Sequence, residues 1–201
     1  MNAALVNYIE ENVLSKYDTF TDGHDRNHIE MVIRETLYLA QKYGADEKIA
    51  YVIAAYHDIG IPEGRDNHHL TSASVLAADK RLLEWFTVEQ IELMKEAVED
   101  HRASAEEKPR SLYGLIIADA DHYIVPEDIL RRTTLYVKTN YPELSEEENI
   151  ERTYNYVHHK YCEEGYLHFH LGDEHSLKGL NGLRDLLKDK ERFATVCGQY
   201  L

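Results

Sequence analysis

The chain has 201 residues, 43% hydrophobic and 29% charged, with 22 Lys and Arg set against 37 Asp and Glu for a formal charge of −15. That length supports one well-filled core, and four prolines and ten glycines are too few for a linker-rich or low-complexity chain. The negative field repels phosphate backbones and anionic lipid, which argues against a nucleic-acid polymer or a membrane as partner, although bound divalent cations can reverse the potential inside one pocket.

Apolar residues recur at helical spacing almost throughout, and alternating strand patterns flanked by hairpin turns do not occur, so the sequence predicts an all-α fold. The N-terminal "MNAALVNYIEENVLSKY" reads as an amphipathic helix over about residues 2 to 16. Its acidic residues and lack of a long apolar run fit neither a signal peptide nor a membrane span. A turn, "DTFTDGHDR", leads into a helix from about Asn27 to Tyr43, on which Ile29, Val32, Ile33, Thr36, Leu37 and Ala40 form one stripe and which Gly44 ends. Asp46 is placed to cap a third helix, about 47 to 59, that is apolar over most of its circumference and hence central.

After the loop "GIPEGRDN" the segment "HHLTSASVLAAD" is helical, and Thr87 with Gln90 predicts a capping box for "VEQIELMKEAVED". The polar loop "HRASAEEKPR" follows. Helices are expected at about 111 to 123, at 126 to 139 with Pro126 near the first position, and at 146 to 163 behind Ser145. Beyond Gly165, "GYLHFHLGDEHS" reads as a loop and "LKGLNGLRDLLKD" as a glycine-interrupted helix. His168, His170 and His175 lie in that loop without other support for a metal site. Cys162 and Cys197 are far apart and belong to no metal-binding pattern, as expected of free thiols in a reducing, cytoplasmic setting.

Two His-Asp dipeptides occur, about the number that chance pairing gives. His24-Asp25 reads as polar turn chemistry. His57-Asp58 differs because it ends the most apolar helix in the chain. A carboxylate there sits against the negative end of the helix dipole, and burying it without a positive partner is costly. His28 opens the preceding helix on its apolar edge, and Asp121 shares a face with Ile117, more convincingly inward than Asp119. These four N/O donors suit a divalent Fe, Mn, Zn or Co ion better than Ca. His68 or His69, at the start of one helix, and His101, at the end of another, stand where a second ion could use them.

The ordered set His28, His57-Asp58, His68, His101 and Asp121 resembles the H…HD…H…H…D signature of the HD-domain superfamily of metal-dependent phosphohydrolases. The contexts "GHDRNHIEMV", "AAYHDIG" and "IIADADHYI" carry the resemblance, with His122 standing where Arg is more usual. It covers about residues 20 to 125, and implies an all-α HD-type bundle over 1–201 with a C-terminal helical extension at 126–201. It further implies that His28, His57, Asp58 and Asp121 hold one divalent metal, while Asp58 bridges to a second ion on His68 and His101. No Gly-Tyr-Pro follows His57-Asp58, so the cyclic-di-GMP phosphodiesterase branch is not indicated.

The implied reaction is hydrolysis of phosphate esters of small metabolites or nucleotides by water whose pKa a metal lowers to about 7. Asp58 and His101 would act at the metal pair. Arg102 and Arg110, with Lys108, would clamp phosphate, because a guanidinium fork matches two of its oxygens. Lys160 and Tyr161 are further residues that could reach the pocket. The alternatives are a di-iron oxygenase of the same fold and a non-catalytic metal-containing ligand-binding module. A homodimer is the base-rate expectation for assembly.

Overall fold

The computed structural model describes residues 1–20, 24–102 and 107–201. Residues 21–23, in the turn expected after the first helix, and 103–106, in the polar loop expected after His101, lie outside them. The all-α expectation holds: the described residues form ten α-helices joined by turns and short 3-10 segments, with no strand. They gather into two compact units, Met1–His122 and Tyr123–Leu201.

In the first unit, α1 (Ala3–Asn12) is capped by the Asn2 side chain, which accepts from the Ala4 and Leu5 N–H groups. The helix stops earlier than its periodicity suggests and tightens into a 3-10 segment, Leu14–Thr19. That turn carries Tyr17 inward, where its hydroxyl donates to the Ala55 carbonyl at 3.0 Å. α2 (Arg26–Tyr43) begins at the Asp25 cap and ends at Gly44, whose φ of 71° is left-handed as a glycine C-cap requires.

α3 (Glu47–Tyr56) starts at the Asp46 cap, and every residue from Ile49 to Tyr56 is buried. Each such Ile or Val contributes on the order of 1.5–3 kcal/mol through removal from water. The helix ends at Tyr56 rather than near residue 59, with His57 as its C-cap. The local chemistry supplies the reason: the His57 ring takes the Ala54 carbonyl at 2.8 Å and Tyr17 takes that of Ala55. Carbonyls in the last turn of the helix thereby gain side-chain donors.

α4 (His68–Ala78), α5 (Val88–Glu99) and α6 (Leu112–Asp121) complete the unit. The Thr87–Gln90 capping box is present on α5. α2 packs on α3 and α6, and α5 packs on α3 and α4, so α3 is enclosed. Asp79, just past α4, accepts from Tyr8 of α1 at 2.6 Å and from Tyr56 of α3 at 2.5 Å.

The second unit comprises α7 (Pro126–Asn140), α8 (Glu146–Tyr161), α9 (Glu174–Lys188) and α10 (Lys190–Gly198). Pro126 opens α7 and a Ser145–Glu148 capping box opens α8. Lys160 and Tyr161 lie in the last turn of α8. α9 starts before the expected Leu177 because Asp173 accepts from the His175 N–H at 3.0 Å and caps it there. α10 is not anticipated by the sequence reading. Asp189 caps it, and Phe193 and Cys197, one turn apart, bury its inner face. Among the described residues no helix is long and apolar enough to cross a membrane.

Gly60 sets how closely α4 approaches the end of α3. A Cβ there would lie 2.7 Å from the Ser72 backbone nitrogen and 2.8 Å from the His68 carbonyl oxygen, both rigid backbone. Its N–H also donates to Ser72 Oγ at 2.9 Å. Gly60→Ala is therefore expected to cost about 1–3 kcal/mol through overpacking, whereas Gly198→Ala, with nothing within 4 Å of the added carbon, should stay within about 0.5 kcal/mol. Thermal unfolding of the two variants checks this, and equal midpoints would contradict it.

Candidate metal centre

The centre assembles from helix ends. The Asp25 carboxylate accepts from the His28 N–H at 3.1 Å, which fixes the first turn of α2 and puts the His28 ring on its inner edge. His57 and Asp58 follow the last turn of α3, His68 opens α4, His101 follows α5, and Asp121 closes α6. Burial is nearly complete at the middle, with His57 0%, Asp58 1% and His101 1% exposed.

One group forms around Asp58 Oδ2 and Asp121 Oδ1. His28 Nε2 lies 3.5 Å from the first oxygen and 3.2 Å from the second. For His57 Nε2 the corresponding distances are 3.2 and 3.4 Å. The other group forms around Asp58 Oδ1, with His68 Nε2 at 3.3 Å and His101 Nε2 at 3.6 Å. The ligand atoms within each group lie within 4.8 Å of one another, and each group could hold a metal ion. Asp58 is common to both.

The imidazoles are aimed by their other nitrogen. Nδ1–H donates to a backbone carbonyl three residues upstream in His57 (Ala54, 2.8 Å), His68 (Arg65, 2.7 Å) and His101 (Val98, 2.6 Å). A neutral ring so held presents a lone pair at Nε2, the form that ligates metal. The Nε2 atoms of His68 and His101 are 3.0 Å apart, and those of His28 and His57 are buried without a hydrogen-bond partner. Lone pairs that converge on carboxylates need a positive charge between them. The donor set fits a divalent cation on that ground.

The electrostatics carry the same demand. Burial works against charge on His57, but Asp58 and Asp121 override it and hold its pKa well above the ordinary histidine value. His28 is raised in the same way, against burial, by the nearby carboxylates of Asp121 and Asp58. Asp58 is held well below the usual carboxylate range despite burial, by the His57 charge and the close approach of His101, His24 and His28. His68 goes the other way, pushed down to about 4 mainly by burial. It is thus neutral and ready to donate its lone pair.

Of the residues singled out from the sequence, His28, His57, Asp58, His68, His101 and Asp121 meet here. The α6 carboxylate in the cluster is Asp121, while Asp119, also buried, stands outside both groups. At the α4 start it is His68 that joins, and His69 lies beside it with ring centroids 5.8 Å apart. Arg102 donates from Nη1 to the Asp66 carbonyl at 2.6 Å, on the loop that precedes His68. Arg110, expected as a phosphate clamp, is instead engaged at the end of α5: Nε donates to Asp100 at 2.9 Å and Nη2 to Glu99 at 2.6 Å. Adjacent carboxylates at the C-terminal end of α5 capture its fork.

His24 is the member that sequence reasoning assigned elsewhere. Its Nδ1 donates to Asp58 Oδ2 at 2.6 Å. The usable signal was the pattern H-D-x-x-H in "HDRNH", in which the Asp caps the helix that carries the second His. His122, with Nδ1 on the Ala118 carbonyl at 2.5 Å, places Nε2 3.4 Å from Asp121 Oδ2, on the outer side of the cluster.

Residues 26–125 match the HD domain family model. No curated protein matches the chain. Among solved structures the chain is similar to a crystal structure described as a predicted HD superfamily hydrolase from an uncultured Thermotogales bacterium. The two share 23% identity over 77% of this chain and 85% of that one, with a TM-score of 0.49. With its ligand-type residues gathered at the ends of α2, α3, α4, α5 and α6, and with the family model spanning all of them but His24, the chain belongs to the HD-domain superfamily of metal-dependent hydrolases.

Proposed function

We propose that this chain is a two-cation phosphohydrolase of small phosphorylated metabolites or nucleotides. The observation that supports this best is the division of Asp58: one oxygen faces His28 and His57, the other His68 and His101. A carboxylate so shared is suited to bridging a cation pair, with His28, His57 and Asp121 completing one coordination set and His68 and His101 the other. Bound divalent ions supply Lewis acidity at a phosphoryl oxygen and make water nucleophilic at neutral pH.

The remaining contributions come from the chain itself. Nδ1 bonds to backbone hold His57, His68 and His101 with Nε2 aimed inward, so little reorganisation accompanies loading. Burial of His57, Asp58 and His101 lowers the local dielectric and strengthens every charge interaction there. Arg102, next to His101 and tied to the Asp66 carbonyl, is assigned to orient phosphate through its guanidinium. A small substrate suits a chain of charge −15, since a polymer of phosphates would meet repulsion over its whole length. Free thiols at Cys162 and Cys197 accord with work in a reducing compartment.

Elemental analysis of protein purified without chelator should give two transition-metal ions per chain, falling to one in His68→Ala. Turnover of a phosphate-ester panel should fall in His57→Ala and Asp58→Ala by roughly 10²–10³-fold, about 3–4 kcal/mol of transition-state stabilisation. Metal content that is unchanged in Asp58→Ala would sink the reading, and two irons with oxygen uptake would favour the oxygenase chemistry. Arg102→Ala is expected to raise KM about 10-fold with kcat little changed, because it removes binding common to ground and transition states. Steady-state kinetics on the best panel substrate check it.

A third outcome follows from the raised values of His28 and His57. In the cation-free protein their protons supply the compensating charge, so loading must expel them and affinity must weaken as pH falls through their raised values. Proton release on adding Mn²⁺ to chelator-treated protein in weak buffer measures this, and loading without release would contradict it.

A further inference from the structure

The shortest polar contact of Asp58 is to His24, a residue outside both cation-capable groups. His24 Nδ1 lies 2.6 Å from Oδ2, against 3.2 Å for His57 and 3.5 Å for His28. The other imidazoles around this carboxylate all present Nε2, the atom that cations would occupy. On loading, their present contacts with Asp58 give way to coordination. The bond from His24 is different in kind: it comes from Nδ1 of a residue outside both groups, and a carboxylate oxygen that coordinates a cation retains a second lone pair to accept it.

We propose that His24 is a positioning residue that fixes the roll of the Asp58 carboxylate, so that its two oxygens serve two separate cations. This rests on the two-cation reading. The terminal torsion of an Asp is soft and broad, so backbone placement alone does not choose which way the two oxygens face. A third group must do so. His24 is itself held in place: it immediately precedes Asp25, whose carboxylate caps α2 at His28, and its ring packs edge-on to that of His28 at 5.6 Å and 78°. The His68 ring lies 6.5 Å away. The side chain is 18% exposed, and it has one ring from each coordination set as a neighbour. Asp25 and His24 thus act together, the first setting the helix start and the second the bridge.

The test uses the full chain, stripped with chelator and titrated with Mn²⁺, read by bound-metal stoichiometry and by electron paramagnetic resonance. Wild type should bind two Mn²⁺ and show the spectrum of an exchange-coupled pair. His24→Ala, with helicity unchanged by circular dichroism, should weaken the second Mn²⁺ about 10–100-fold, the range for loss of an outer partner to a ligand, and should replace the coupled spectrum with that of isolated ions. His24→Asn puts an amide donor near the Nδ1 position and should restore both readings to within about 3-fold. His24→Gln, with its donor one bond further out, should behave as the Ala variant. Wild-type affinity and coupling in His24→Ala would overturn the positioning role, as would a folded His24→Asn no better than Ala. Wild type that binds one Mn²⁺ or none would instead overturn the two-cation reading, and the role of His24 with it.

Discussion

A carboxylate 1% exposed and surrounded by five imidazoles is the interaction on which the first unit turns. Desolvation of Asp58 would raise its pKa and leave it neutral if it stood alone. It is held as an anion because the rings of His57, His101, His24 and His28 surround it. Those rings, in turn, cannot all be neutral acceptors at such distances without repelling the oxygens. Either protons or metal ions must balance the account, and the orientation of His57, His68 and His101, with Nδ1 already donating to backbone, leaves Nε2 as the place for that charge. The helical packing is what makes the crowding possible.

The packing achieves it by ending helices at one place. α3 contributes its C-terminal turn, α4 its first residue, α2 its first turn, α6 its last residue, and the turn after α5 supplies His101. Termini carry unsatisfied backbone groups, so they are the natural place for polar side chains within an apolar interior. Here the arrangement does both jobs. The carbonyls left over at the ends of α3 and α5 hold imidazole N–H groups, and the N–H at the start of α2 is taken by Asp25. Functional and structural hydrogen bonds are the same bonds.

Much of this was legible in the sequence, for reasons that differ by residue. His57-Asp58 stood out because it terminates an almost wholly apolar helix, where a charged pair is expensive and must have a purpose. Caps at Asp46, Thr87 and Ser145 follow from short-range rules and were readable with the helices they start. His24 was not, since a His-Asp pair in a turn has an ordinary local explanation and its contact with Asp58 spans 34 positions. Arg110 is the opposite case: proximity to His101 along the chain suggests a role, while the carboxylates of Glu99 and Asp100 hold its side chain at the end of α5. α10 escaped notice because its buried face is short, Phe193 and Cys197 alone, and only Asp189 marks its start.

The carbonyl-held rings carry an implication for how such centres arise and change. In His57, His68 and His101 the aiming bond runs to a residue three positions back, so each ligand travels with its own goniometer in a four-residue piece of chain. Loops between the helices can then lengthen, shorten or exchange their side chains without tilting the rings. Chemistry at the rim is free to diversify while the cation-facing geometry is inherited intact, fragment by fragment.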